Sequence, residues 1–475
     1  MSARRSPEVA IVGGGITGLS AVHRLMELGC EREAVPKVTL FDAAKRLGGV
    51  IGTMNRDGFL MEEGPDSLIT EKPWALELIE RLGMGDKIVG TQEKHRRSFI
   101  VRKGRLYPTP EGFHLMAPAR IWPLVTTPLM SPLGKLRVGL DLILPRRKGD
   151  SDETLGQFVQ RRLGREAYEA MAQPMISAIY GGDPMRISLL ATFPRFREME
   201  RRHGSLVLAM WLAARKSTAA GKAGGRASGA RYGMFASLSG GLQELTDELA
   251  RRLPDSCART GVSIESVLRT RGGRWTVTWD GGKADFDGVI LALPAPRAVE
   301  VLRPLDDDLA RRLSFIRYGT SATVGVAYRQ EDVDHHLDGF GFVVPAREGL
   351  TMLGCTFAHR KYAGRVPDGY VMLRAFHGDR SDPLSDDDLV EATRRDLGRL
   401  LGITSKPLLT HVTRYHESLP QYGLGHLDLV DEIDQRMTGY RGLVLAGNAY
   451  RGIGVPDCVR SGENAAAAIM DAVAT

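Results

Sequence analysis

The segment Gly13-Gly14-Gly15-Ile16-Thr17-Gly18 constrains what this chain can fold into more than any other. Alone, G-x-G-x-x-G is a weak signal; its flanks make it a strong one. Glu8-Val9-Ala10-Ile11-Val12 before it reads as a buried strand. Leu19, Val22, Leu25, Met26 and Leu28 follow at helical spacing, and Gly29 ends the run. Lys37-Val38-Thr39-Leu40-Phe41-Asp42 is a second strand closing on an acidic residue, so the unit is βαβ. Gly13 permits the tight turn, Gly15 leaves room for a pyrophosphate against backbone N–H groups, and Gly18 lets helix and strand pack closely. The helix N-terminus adds positive potential for phosphates. Asp42 follows at close to the roughly 20-residue spacing of a ribose-binding carboxylate.

What comes next favours FAD over NAD. Arg46-Leu47-Gly48-Gly49-Val50-Ile51-Gly52-Thr53 adds a second glycine surface and a cation directly after the second strand. That suits a long, bent dinucleotide. Glu62-Glu63-Gly64-Pro65-Asp66-Ser67 is a further turn that can close on the isoalloxazine or ribityl. Near the end, Ala446-Gly447-Asn448 ends a strand, Tyr450 to Val455 form a loop, and Pro456-Asp457 open a helix. A helix N-terminus aimed at the flavin pyrimidine edge would stabilise the reduced, anionic ring.

The remaining sequence sets the organisation. At roughly 150 residues per domain, 475 residues suggest about three units, and 43% hydrophobic with 25% charged residues indicates a globular chain. From Glu111 to Pro145, apolar residues such as Trp122, Leu124, Leu129 and Leu133 alternate with prolines, and Arg146-Arg147-Lys148 follow. These read either as knuckles for a bilayer surface or as an inward-packing helical subdomain. Amphipathic helices run from about Thr154 to Trp211, and Ala213 to Arg231, small and basic, reads as a mobile surface loop without aromatic platforms for nucleic acid. Val262-Ser263-Ile264 is strand-like, and strands within 313–378 suggest a second sheet. The net charge of +7 fits anionic ligands or an anionic lipid surface, or equally an evenly solvated basic surface. Four cysteines without a C-x-x-C pair argue against a disulfide framework or zinc and for a reduced, cytoplasmic setting. Val9 to Val12 is too short for a signal-peptide core, and no run approaches the ~18 apolar residues of a membrane span. His335-His336 point apart on a strand, so no metal ligand set is expected, and no nucleophile–base constellation stands out.

These motifs resemble the FAD-dependent amine oxidase-like superfamily. Ile179-Tyr180-Gly181-Gly182-Asp183-Pro184, Phe235-x-Ser237-Leu238-x-Gly240-Gly241-Leu242 and Gly447-Asn448 through Cys458 narrow the resemblance, which runs almost end to end, to the oxygen-dependent protoporphyrinogen/coproporphyrinogen III oxidases. It implies an α/β composite: a Rossmann-type FAD domain (1–66, 232–295, 425–475), a mixed-sheet substrate domain (67–105, 296–424) and a helical domain (106–231) that contacts membranes in relatives. It implies FAD-dependent six-electron oxidation of a porphyrinogen by O2 in haem biosynthesis, with hydrogen peroxide released. Carried over by motif, the FAD contacts are Gly13, Gly14, Gly15, Ile16, Thr17, Gly18, Asp42, Arg46, Gly48, Gly49, Gly64, Pro65, Asp66, Ser67, Val262, Tyr415, Gly454 and Val455. Tyr415 stands where relatives often have Trp.

A propionate-binding Arg of plant and animal relatives falls here on Ser98, with Arg97 beside it, which tilts the substrate toward coproporphyrinogen and leaves protoporphyrinogen open. Phe342, Val343, Leu353, Phe357, Leu373 and Phe376 are candidates for an apolar macrocycle slot, against the alternative that each is core. No catalytic base can be named from the sequence; the flavin would carry the hard step. The oxidation-prone product suggests a ferrochelatase handover, and a peripheral membrane contact fits the helical part. The rivals are an amine or polyene oxidase of the same superfamily and a non-catalytic, prenyl- or lipid-binding relative.

Overall fold

The structure, a computed structural model, describes residues 5–473 apart from 115, 119 and 221–232. Strand β1 (Glu8–Val12), helix α1 (Ile16–Glu31) and strand β2 (Lys37–Asp42) form as their periodicity predicts. β1 pairs in parallel with β2 on one side and with Gly288–Leu291 on the other. Ala258–Thr260 extends the sheet beyond β2, and Leu443–Leu445 closes the far edge. Alternation sorts β1 into two cores: Val9 and Ile11 pack beneath α1 and the last helix (Val455–Val473), Ala10 and Val12 on the opposite side. Burial on both faces is why β1 reads as a continuous apolar run.

Two glycines make the first turn possible. Gly13 has φ +106°, and a Cβ there would lie 2.3 Å from the Ala292 carbonyl oxygen. At Gly18 a Cβ would lie 1.9 Å from the Gly13 oxygen, so helix and turn pack closer than any side chain allows.

Of the strand expected over Val262-Ser263-Ile264, only Ile264 belongs to a strand. Ala258–Thr260 is the parallel strand, Val262 lies in the connection with its N–H donating to the Asp42 carbonyl at 2.9 Å, and Ile264–Arg269 begins a separate antiparallel sheet. Residues expected with the mixed sheet move too: Leu68, Leu76, Leu78, Ile79 and Ile88 pack into the core with α1. The loop expected from Ala213 is helical at first, within Leu206–Ala220; residues 221–231 of it lie outside the described residues.

The second sheet has seven strands in the order Leu409–Gln421, Arg317–Arg329, Tyr370–His377, Gly354–Phe357, Gly341–Val343, Phe99–Arg102, Arg105–Pro108. One face is covered by the helix Asp386–Leu401, through Val324, Phe342, Phe357, Leu373 and Leu397. The other face turns toward the dinucleotide sheet's loops and the helical part of the chain, where Ile100 joins Phe158, Met171, Ile176 and Phe196 in a third core. A capping box at Thr154 starts the helix Leu155–Leu163, and a π-helical turn spans Tyr168–Ala172.

Candidate functional site

A cavity of about 280 Å³ opens at the carboxyl ends of the parallel strands, where α/β sheets bind ligands. Its walls are backbone-rich: Gly13, Gly15, Gly48, Gly49 and Gly447, with Val262 beside them and Asp42, Ser263, Arg297 and Asn448 at the polar positions. Gly15 occupies the α1 N-cap without a side chain, and no side chain caps the helix. The first-turn amides thus end at the cavity with donors to spare. The Gly14 N–H donates to Asp42 Oδ2 at 2.6 Å and the Ala44 N–H to Oδ1 at 2.7 Å, which fixes the carboxylate at the rim. Donors at one end, a fixed carboxylate acceptor beside them and a long, side-chain-poor floor fit a dinucleotide's pyrophosphate and ribose.

Several predicted residues sit elsewhere. Arg46 donates to the carbonyls of Leu47 and Ile51 at 3.0 Å and of Gly49 at 3.1 Å, so it winds its own loop into shape and is absent from the cavity wall. Asp66 turns to Lys361, whose Nζ lies 2.9 Å from both carboxylate oxygens. Burial alone would raise the Asp66 carboxyl, but Lys361 and Arg374 overcome it and hold it at about 2. Ser67 accepts from the Tyr362 hydroxyl at 2.7 Å. Pro65 belongs to the same turn, and Gly64 packs on the Val50 carbonyl, where a Cβ would lie 1.9 Å away. The Tyr415 hydroxyl donates to that same carbonyl at 3.0 Å. Tyr415 and Gly64 therefore brace Val50, which does line the cavity. The Gly454 N–H donates to Asp457 Oδ2, Val455 opens the last helix, and one turn later Cys458 reaches the cavity.

Sequence reasoning missed Arg297 and Ser263, and quoted Asn448 only as part of the C-terminal motif. Each follows a strand of the parallel sheet or the connection into the next one; the strand-end rule was the signal that could have found them. It also missed Arg374. This guanidinium lies on the inner face of the seven-stranded sheet, 3% exposed, and donates to the Glu63 carbonyl at 2.7 Å and to Gly64. Glu63 in turn accepts from Thr323 through its carbonyl and pairs with His411 Nε2 at 2.8 Å through its carboxylate.

The proposed macrocycle residues divide by strand alternation. Phe342, Phe357 and Leu373 point into the core beneath Asp386–Leu401 and do not face the cleft. Val343 packs toward the helical part, Phe376 lies under the Arg374 guanidinium at 4.9 Å, and Leu353 is half-buried beside Gly378. Arg97 is exposed and pairs with Asp338 at 3.1 Å, and Ser98 is exposed against Thr109. Opposite the inner face, Gln421 donates to the Tyr180 carbonyl at 2.7 Å and the Ala346 N–H donates to Gln173 at 2.9 Å.

Residues 16–470 match the family of flavin-containing amine oxidoreductases. The chain belongs to that family. FAD is its cofactor, consistent with the dinucleotide-shaped cavity. The chain is 33% identical over 471 residues to the coproporphyrinogen III oxidase of Bacillus subtilis, covering 98% of this chain and 97% of that one. It is 34% identical over 491 residues to the coproporphyrinogen III oxidase of Propionibacterium freudenreichii, covering 98% and 91%. A crystal structure of a candidate protoporphyrinogen oxidase from Exiguobacterium superposes with a TM-score of 0.85 at 32% identity, over 98% of this chain and 99% of that one. Amine-oxidising members of known structure, such as a putrescine oxidase at 17% identity and a TM-score of 0.66, share the fold.

Proposed function

We propose that this chain oxidises a porphyrinogen to the porphyrin with O2, and that coproporphyrinogen III is the preferred substrate. The observation that carries this reading is the near end-to-end identity, a third of all positions, to proteins named for that reaction. Bound FAD would supply two-electron hydride acceptance; three such oxidations would complete the six-electron change, each consuming one O2 and releasing one H2O2. The protein's part is position and exclusion of water. Gly13 to Gly18 and Asp42 would hold the pyrophosphate and ribose, Gly48 and Gly49 the second glycine wall, Val262 and Ser263 the outer rim. Arg374, Thr323 and Tyr415 would fix the 63–66 and 48–51 loops against each other. Val343, Leu353 and Phe376 would line the apolar slot between the sheet's inner face and the helical part. Pyrrole N–H protons would leave toward solvent, with no protein base assigned.

We further infer that the helical part rests on an anionic membrane surface. No helix among the described residues is long and apolar enough to cross a membrane. Trp122 is 75% exposed, Leu133 78%, Leu136 66% and Ile143 77%, with Lys135, Arg146 and Lys148 nearby in sequence. The prolines hold these side chains on short helices, a shape suited to interfacial contact. Product transfer to a ferrochelatase is the partner this reading suggests, tested by whether adding ferrochelatase changes the oxidation rate. The function itself is tested by aerobic turnover: porphyrin fluorescence and peroxide should rise together, and a flavin-loaded protein producing neither from either porphyrinogen contradicts it.

A further inference from the structure

A second cavity, about 20 Å³, lies between the 59–66 segment and the seven-stranded sheet. Space of this size holds one water or one small ion. Its wall carries three cations, Lys361, Arg365 and Arg374, against two carboxylates, Glu62 and Asp66. Both guanidinium groups are 3% exposed. Both keep a buried N–H without an acceptor: Nη1 of Arg365 and Nε of Arg374. Both wall carboxylates already accept hydrogen bonds, and the Thr356 hydroxyl, opposite Arg374 in the sheet register, also lines the wall. Glu62 accepts from Thr53 at 2.7 Å and from the Leu242 N–H at 3.0 Å, and lies 3.5 Å from Arg365. Asp66 accepts from Ser67 at 2.7 Å and twice from Lys361. Glu63 offers Arg374 only its carbonyl, because its carboxylate is given to His411. Tyr362 donates away from the cavity to Ser67.

We propose that this cavity binds a monovalent, chloride-class anion. The orphaned N–H groups of Arg365 and Arg374 would donate to it, and it would offset the excess positive charge. An unpaired buried cation and unmet buried donors are both costly, and one spherical acceptor relieves both. Leu60, Met61, Ala358 and Met372 form the apolar part of the wall. The site is separate from the dinucleotide cavity and independent of the substrate reading. Arg374 connects the two, because the same side chain holds the Glu63 and Gly64 carbonyls.

The test uses the flavin-loaded full chain crystallised in sodium bromide. One anomalous peak within hydrogen-bond reach of Arg365 Nη1 and Arg374 Nε is expected. In solution, the unfolding midpoint should rise saturably with chloride relative to gluconate at equal ionic strength. At ten times the dissociation constant the folding equilibrium gains about tenfold. Arg365→Met should fold with the chloride dependence gone. Density for a lone water with no anomalous signal, or equal midpoints in both salts for the unmodified protein, would overturn the assignment.

Discussion

Gly15 and Gly18 are equally prominent in the motif but do different work. A Cβ at Gly15 would meet nothing nearer than the Gly49 Cα at 3.9 Å, and its φ of −71° with ψ of −178° is open to any residue. Gly15→Val should therefore fold normally while its branched side chain enters the dinucleotide space. We expect flavin affinity to fall by at least about tenfold, ~1.4 kcal/mol, with an unchanged apoprotein unfolding midpoint. Full flavin occupancy in the purified variant would contradict the placement. Gly18→Ala, by contrast, should lose stability first. Acid stability is also set by single residues. Burial pushes His359 and His377 down to about 4, against an unfolded value near 6.5. Between those values the unfolded chain binds protons that the folded one refuses, so stability is full above about pH 6.5 and declines as pH falls toward 4. Asp66, held at about 2, is lost only below that window, whereas Glu62, raised by burial, gains as pH falls. His377→Gln isolates the imidazole contribution: its urea midpoint should change less than wild type between pH 7 and 4.5, and parallel curves would refute the assignment.

Among the elements, the contact between α1 and the last helix is the tightest constraint on the cavity. A Cβ at Gly462 would lie 2.2 Å from the Thr17 carbonyl oxygen, inside α1. Gly462→Leu must push the helix carrying Cys458 away from the turn that carries Gly15. We expect a loss of more than about 2 kcal/mol together with flavin, read by denaturant titration and flavin release. Thr154→Ala, which removes a capping box in the helical part, should cost ~1 kcal/mol and leave flavin binding intact. The same elements show what was legible beforehand. β1, α1 and β2 were readable because glycine spacing and apolar period are local properties that agree. The face of the seven-stranded sheet was not. Phe342 and Val343 are neighbours pointing opposite ways, and which side Asp386–Leu401 covers is settled by packing far along the chain. Likewise the sequence shows Arg46 to be a cation beside a glycine turn, but not that three carbonyls of its own loop occupy it.

For the whole molecule, the apolar knuckles of residues 121–143 divide between core and surface. Leu124, Leu129 and Met130 are buried, whereas Trp122, Leu133 and Ile143 stand in solvent. The protein should co-sediment with phosphatidylglycerol vesicles and weakly with phosphatidylcholine. The triple variant Trp122→Ser, Leu133→Ser, Ile143→Ser should lose that binding with little change in stability, since these side chains bury little; unaltered sedimentation would dismiss the surface. The most direct measurement is aerobic oxidation of coproporphyrinogen III and protoporphyrinogen IX side by side, at equal concentration, by the flavin-loaded enzyme. Coproporphyrin should form faster, with matching peroxide. A clear preference for protoporphyrinogen would contradict the substrate assignment, and oxidation of neither would contradict the function.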